Sequence, residues 1–356
     1  TELVEKRVIR KMVPTFLEDL ICDFNYVAST MQIVDEAMID VPLFYTKQLI
    51  KEYLIFPLGS GFVKKNSPIQ VPSVLFHGPP GTGKTHAAMA IAYHTDALFI
   101  DLSPRNLEGK MNSKEEISRL LASSFRVSKF CQPAIIYFDN AEQIFPKAKM
   151  KGAVKNDLAK KMKKYLNSMV KLITPEMRIL IIGCTSRGQY LSPKDMKSFF
   201  SKTLYFGLPS YSDRLKLWKA KIQEKIRWST ELKRKEEEKA KAEMQDNDND
   251  ALAFNSDNGA LDNSLDYGIL AEMSNGYSHE SIIECINYTL TRQRLDKIRL
   301  DPLDAKEFIS TLCRTEYVYK EDYEENKKFL SLASGMQEIT NFLKEKAAEN
   351  EKNTKK

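Results

Sequence analysis

The chain has 356 residues, 42% of them hydrophobic, and 54 Lys and Arg against 48 Asp and Glu give a formal net charge of +6. That length allows two packed units or one large core with appendages, and the mild positive charge implies no more than a weak preference for acidic surfaces. No apolar run approaches the roughly 20 residues that span a bilayer, no charged-apolar-small leader opens the chain, and the five scattered cysteines (Cys22, Cys131, Cys184, Cys285, Cys313) lack zinc or redox spacing. The sequence therefore predicts buried thiols in a reducing compartment. It begins at Thr1, as a piece of a longer polypeptide would.

In chain order, the first forty residues read as amphipathic helix, with Val4, Val8, Met12, Phe16 and Leu20 recurring on one face. From Ser73 the period changes. Five short apolar runs follow, at residues 73–77, 97–101, 134–138, 178–182 and 203–206, each separated by helical sequence. Such runs, rich in Ile, Val and Phe, predict an α/β fold with a five-stranded parallel sheet covered on both faces. Within the helical stretches, Met162, Leu166 and Met169 are expected in the core. Residues 229–264 carry a Lys/Glu-rich run and then Asn, Asp and Ser, which suggests a solvated helix extension fading into a flexible loop. Helical periodicity returns at Leu265 and continues to about Leu312, enough for a small helical lid. The charged tail after Arg314 reads as a peripheral helix or two.

Gly78-Pro-Pro-Gly-Thr-Gly-Lys-Thr85 fits the pattern G-x-x-x-x-G-K-[ST] in full, after an apolar strand and before an alanine-rich helix. Its glycines let backbone N–H groups curl around phosphates, and the helix N-terminus adds partial positive charge. Lys84 is expected to neutralise the β- and γ-phosphates and Thr85 to offer a hydroxyl to Mg²⁺. The predicted nucleotide-binding set is Gly78, Pro79, Pro80, Gly81, Thr82, Gly83, Lys84, Thr85, His86 and Asp139. Asp139 ends the apolar strand Ala134-Ile-Ile-Tyr-Phe-Asp139 and is, with Thr85, the expected Mg²⁺ contact, acting through a bound water. ATP or ADP with Mg²⁺ is the expected ligand.

These motifs, with Gly207-Leu-Pro-Ser-Tyr-Ser-Asp-Arg-Leu215, Ser274-Asn-Gly-Tyr-Ser278 and Pro302-Leu-Asp-Ala-Lys-Glu-Phe308, resemble the AAA family of ATPases from about Leu49 to Leu312. The resemblance implies an α/β P-loop AAA module with a small helical lid, and a sheet in which the strand near Thr185 lies between the loop strand and the Asp139 strand. It also exposes departures. Active members carry Glu after the metal-binding Asp, and here that position is Asn140, which cannot accept a proton; such help is worth roughly 10²–10⁴ in rate. Glu142 follows two residues later, on a turn expected to point it elsewhere. Ser186 stands at the polar sensor position, where the family has Asn. No arginine lies in residues 194–202, where the fingers belong, leaving Lys197 or Lys202 to supply charge without the bidentate fork; a missing finger costs about 10³–10⁵. Met111 replaces the aromatic of the threading loop. His279 and Glu280 replace the Gly-Ala beside the nucleotide, and His279 reads as a surface histidine sooner than a contact.

Among AAA proteins this pattern resembles the ciliary IQ-motif-and-AAA group, subunits of the nexin–dynein regulatory complex, through residues 138–145, 183–187, 208–218 and the upstream lead-in. The resemblance implies an ATP-binding, hydrolysis-poor structural or regulatory subunit in the cytoplasm and cytoskeleton, at the ciliary or flagellar axoneme. Its implied partners are other subunits of that complex, with tubulin a further candidate, and neither nucleic acid nor membrane. The alternative is an active AAA ATPase remodelling proteins or microtubules. The lysines from Lys147 to Lys164 read either as a contact for an acidic partner or as a solvated helix face, with the latter favoured. The expected layout is a helical lead-in at 1–48, the nucleotide-binding domain at 49–224, a charged flexible insertion at 225–264, the lid at 265–313 and a charged tail at 314–356.

Overall fold

All five apolar runs become strands, and their order follows from which of them are buried on both faces. The computed structural model describes residues 2–24, 41–108, 114–147, 157–243, 265–298, 300–336 and 338. Numbered along the chain, the strands are β1 (Ile9–Arg10), β2 (Ser73–His77), β3 (Leu98–Asp101), β4 (Ala134–Phe138), β5 (Ile179–Thr185) and β6 (Lys202–Tyr205). They form one sheet in the order β1-β3-β4-β5-β2-β6. The three central strands β4, β5 and β2 are buried at every position, as parallel strands covered on both faces require. The strand ending at Thr185 does lie between the loop strand and the Asp139 strand. Register sets Thr185 beside His77 and Gly183 beside Phe138. A Cβ at Gly183 would stand 2.8–2.9 Å from the rings of Phe138 and Phe200, so glycine there makes room for the aromatic layer of Phe138, Phe145, Phe199 and Phe200.

Two expectations are corrected. The sheet has six strands, because β1 pairs antiparallel with β3, Ile9 opposite Ile100 and Arg10 opposite Phe99. Nor is the start of the chain one amphipathic helix: among the described residues before 25, only Glu2–Glu5 is α-helical, followed by β1 and the 3₁₀ turn Leu17–Asp19. Periodicity misled because the apolar residues serve different ends. Val8, Leu17 and Leu20 are buried, whereas Val4 is 59% exposed. The segment is held to the sheet by ladder bonds, by buried Leu3 and Val8, and by charge: the Asp101 carboxylate at the end of β3 is buried and pairs with Arg10 at 2.5 Å. Residues 25–40 of the expected lead-in lie outside the described residues.

The chain forms two compact units, one of residues 1–20, 24–207 and 319–356, the other of residues 21–23 and 208–318. In the first, the loop helix Lys84–His94 buries Ala87, Ala88, Ala90, Ile91 and Ala92. Small side chains on that face let a helix lie close to a sheet. The amphipathic helix Asp157–Leu172 places Met162, Leu166 and Met169 in the core, as expected. The tail helix Lys320–Ala333 is no peripheral appendage of this unit. Its Phe329 is buried, meets His77 edge-on at 5.1 Å and occupies the space a Gly188 Cβ would need, 2.4 Å away.

The second unit is helical. The long helix Tyr211–Glu243 includes the Lys/Glu-rich run, and residues 244–264 of the expected flexible insertion lie outside the described residues. Trp218 is its fully buried anchor, packed edge-on against Phe308 and donating Nε1–H to Ser274 Oγ at 3.0 Å. Ser278, Thr291 and Asp304 each cap a following helix by accepting a backbone N–H. Pro302 and Leu303 lead into the helix Ala305–Leu312 without forming a strand.

The Arg10–Asp101 pair is testable. Arg10→Met is expected to cost about 1–3 kcal/mol, beyond an ordinary surface change, because a buried carboxylate loses its counter-charge. Adding Asp101→Asn should recover part of that loss in urea unfolding, since the orphaned charge is removed.

Candidate functional site

The site is built at the carboxyl edge of the sheet, where β2 runs into the loop 78–83 and then the helix Lys84–His94. Gly78 has φ +145°, and a Cβ there would lie 2.1 Å from the Phe206 carbonyl oxygen. Gly83 has φ +87°, with the Leu20 side chain 2.4 Å from where its Cβ would be. Both positions are closed to any larger residue by backbone conformation and by space. Thr82 is buried and donates its hydroxyl to Pro79 O at 2.9 Å, fixing the curl of the loop. Lys84, only 6% exposed, turns its ammonium back into the loop and donates to Gly78 O at 2.9 Å and Pro79 O at 2.6 Å. Pro80 is exposed and Gly81 half-buried at the loop's tip.

Strand β4 brings its residues to the same edge. Asp139 is half-buried, its Oδ1 accepting the Asn140 N–H at 2.8 Å. Its own N–H donates to Ser103 Oγ, and Ser103 donates its N–H and O–H to the buried Asp101. Tyr137, two residues earlier and therefore on the same strand face, lies with its hydroxyl 3.2 Å from Thr85 Oγ1. Burial, with Cys184 and Asp139 nearby, pushes its phenol pKa far up, so it stays protonated.

A glycine cradle, a buried ammonium, a helix N-terminus, one hydroxyl and one carboxylate form a set that fits a nucleotide's phosphates with a hard divalent cation. Lys84 and the loop N–H groups could hold the phosphates, and Thr85 and Asp139 the Mg²⁺. His86 sits differently from the other predicted residues: its Nε2 lies 3.0 Å from Phe16 O and 4.0 Å from Asp19, so it binds the 3₁₀ turn Leu17–Asp19 to the loop helix. His94, two turns on, accepts the Leu17 N–H at 3.2 Å.

Several departures gain a geometry. Asn140 has φ 52° and ψ 53°, left-handed backbone in which Asn is tolerated far better than Glu, and its Nδ2 is buried with no partner. Glu142 is turned to the end of β5, where Oε2 accepts the Thr185 hydroxyl at 2.6 Å; Thr185 also accepts the Arg187 N–H. Burial pushes the Glu142 carboxyl above its ordinary pKa, against the pull of the Thr185 bond. Ser186 is half-buried beside it. Lys197 pairs with Glu338 at 2.5 Å, and Lys202 lies over the Tyr53 ring, so the two lysines expected to supply charge there have partners within this unit. Met111 falls outside the described residues, as do Lys149, Lys151 and Lys155 of the basic stretch. Lys160 and Lys164 are exposed and Lys163 pairs with Asp195. In the second unit, His279 is not a surface residue: it is buried at the first turn of the helix His279–Thr289, and burial lowers its pKa to about 4.

Residues 74–208 match the model of the ATPase family associated with various cellular activities (AAA). The chain carries an AAA domain. Members of that family generally bind ATP or ADP with Mg²⁺. Over 329 residues, 92% of its length, the chain is 30% identical to dynein regulatory complex protein 11 of Mus musculus, of which that match covers 35%. It is 28% identical over 171 residues to spastin of Ixodes scapularis, covering 48% of this chain and 26% of the relative. The chain thus spans about a third or less of these relatives' length. The crystal structure of the FIGL-1 AAA domain has the same fold, with a TM-score of 0.54 at 18% identity over 80% of this chain and 84% of that one.

Sequence reasoning missed Tyr137, Ser103 and Thr185. Tyr137 carried a signal, a polar aromatic at the strand position of Asp139's own parity; Ser103 and Thr185 carried none, since their roles depend on which strand ends are neighbours.

One consequence for pH follows from His77, the last residue of β2. It is buried, its Nδ1 has no partner, and burial, with Lys84 nearby, lowers its pKa to about 3. A depressed pKa gives stability that is full above the unfolded value near 6.5 and lost as pH falls toward the folded one. Between pH 7 and 5 this residue should remove of order 2 kcal/mol, and His77→Leu should flatten that limb in urea unfolding at the two pH values.

Proposed function

We propose that this AAA domain holds Mg-ATP or ADP as a lasting structural ligand, hydrolyses it poorly, and serves as a structural or regulatory subunit of the axonemal nexin–dynein regulatory complex. The observation that carries the first half is a closed loop with a buried Lys84 beside an amide at position 140. The site keeps the groups that grip phosphate and lacks a carboxylate where the attacking water would be polarised. The second half is supported by similarity along 92% of the chain to a dynein regulatory complex protein. Other subunits of that complex are the proposed partners, with tubulin a further candidate reached through exposed lysines such as Lys160 and Lys164. Among the described residues no helix is long and apolar enough to cross a membrane. Salt extraction of cilia tests the assembly: the protein should stay with the regulatory complex, and release as a soluble hexamer would favour the remodelling reading that the spastin likeness suggests.

Nucleotide should raise thermal stability by mass action, about 2.7 kcal/mol at a hundredfold excess over Kd. Lys84→Ala should abolish most of that shift, because the phosphates lose their nearest cation. Absence of any ATP-dependent shift in the wild type would remove the central claim.

Turnover should fall well below the roughly 1 s⁻¹ low end of ordinary enzymes. Asn140→Glu should restore little, for two reasons: the finger segment has no arginine, and Glu in left-handed backbone costs about 1–2 kcal/mol. Brisk, oligomer-dependent turnover by wild-type protein would promote the remodelling reading instead.

A further inference from the structure

Thr85 lies in the first turn of the loop helix, and the hydrogen-bond partner of its hydroxyl lies outside that helix. A threonine in a helix has competing rotamers, one of which turns the hydroxyl back toward a carbonyl in the preceding turn. The partner found for Thr85 is instead the Tyr137 hydroxyl, 3.2 Å away on the neighbouring strand.

Tyr137 is 3% exposed, its ring tilted against Phe99 at 5.2 Å. Packing alone would be served by phenylalanine, and a buried hydroxyl costs stability unless it is bonded. Two partners meet it. Thr85 is one, 3.2 Å away, and the fully buried Cys184 thiol of β5 is the other neighbour that acts on the phenol. The three groups line up as a chain crossing from the loop helix through β4 to β5. The 3.2 Å contact admits either hydroxyl as donor; with the phenol's proton turned to the sulfur side, its oxygen would be the acceptor for Thr85. A threonine O–H engaged in that way leaves its oxygen lone pairs open.

We propose that Tyr137 is a positioning residue for the magnesium side of the loop: its hydroxyl accepts the Thr85 O–H, so that Thr85 Oγ1 is held ready to ligate the metal. The inference rests on the reading that the loop holds Mg-ATP. Strand parity gives it a second support. Tyr137 and Asp139, the residue directly after β4, are two apart along the extended chain, while Phe138 between them points to the opposite face and the aromatic layer with Phe145, Phe199 and Phe200. One strand segment therefore carries both a metal-side carboxylate and the group that orients the metal-side hydroxyl.

The test is calorimetric ATP binding to the full 356-residue chain, with MgCl₂ titrated against EDTA, for wild type and Tyr137→Phe. Loss of one neutral hydrogen bond should raise the half-saturating Mg²⁺ concentration about three- to tenfold, with ATP affinity in EDTA unchanged within about twofold. The melting temperature of ligand-free protein should move little, since the ring is kept. An unchanged Mg²⁺ requirement in Tyr137→Phe overturns the inference, and so does an equal fall of affinity with and without Mg²⁺, which would mark a packing role. Should Tyr137→Phe not fold, Cys184→Val keeps the phenol while removing its acceptor. It should raise the Mg²⁺ requirement in the same direction by a smaller factor, and no rise there overturns the chain of bonds. Wild-type protein that binds no ATP in either condition would overturn the Mg-ATP reading itself, an outcome distinct from normal binding with an indifferent Tyr137→Phe.

Discussion

The site is organised around a cation that folds back on its own loop. An ammonium withdrawn from water needs oxygen around it, and Lys84 takes the carbonyls of Gly78 and Pro79. That closure needs residue 78 to have a backbone conformation only glycine reaches easily, and the loop to leave β2 at a fixed point. Once β2 is fixed, register places Thr185 beside His77 and, across β5, Gly183 beside Phe138. The polar groups of three strand ends therefore converge on one edge. A second chain of restraints reaches the same edge from the other side of the sheet: Arg10 neutralises Asp101, Asp101 accepts from Ser103, and Ser103 receives the Asp139 N–H. Each metal-side residue is thus supported by a neighbour in a different strand or turn.

The balance of groups at that edge is uneven. Those that grip a polyanion are present and individually supported. At the position after Asp139, by contrast, an amide occupies left-handed backbone, and the next acidic side chain is spent on the Thr185 hydroxyl. Glu142 in that place braces the end of β5 against the turn that follows β4. Its raised pKa reflects burial first, with the Thr185 hydrogen bond the largest of the effects opposing it.

The loop, the helix after it and the five parallel strands were legible because each depends on local sequence: glycine spacing, a lysine at one offset, and short β-branched runs. What stayed hidden depends on long-range pairing. Ile9 and Arg10 pair with a strand, and Arg10 with a carboxylate, about ninety residues away, and no periodicity in the first forty residues announces it. His279 looked like a surface residue because a histidine between Ser278 and Glu280 has polar neighbours in sequence, yet its helix turns that side chain inward. His86 belonged to the loop motif by position, but its ring serves the turn Leu17–Asp19. The direction of the Glu142 carboxylate could be read only once β4 and β5 were known to be adjacent.

The chain's order of synthesis gives Phe329 a meaning that its packing alone does not. Gly188, which it covers, and His77, which it meets edge-on, are made early, whereas the helix Lys320–Ala333 follows the whole second unit. On the ribosome, about 140 residues must be added after Gly188 before its cover exists, roughly seven to thirty seconds at ordinary elongation rates. Throughout that interval the Gly188 turn and the His77 ring lack this aromatic cover. Nascent chains would be exposed to aggregation there, or need a chaperone, until a helix made after the whole second unit arrives to cover the site.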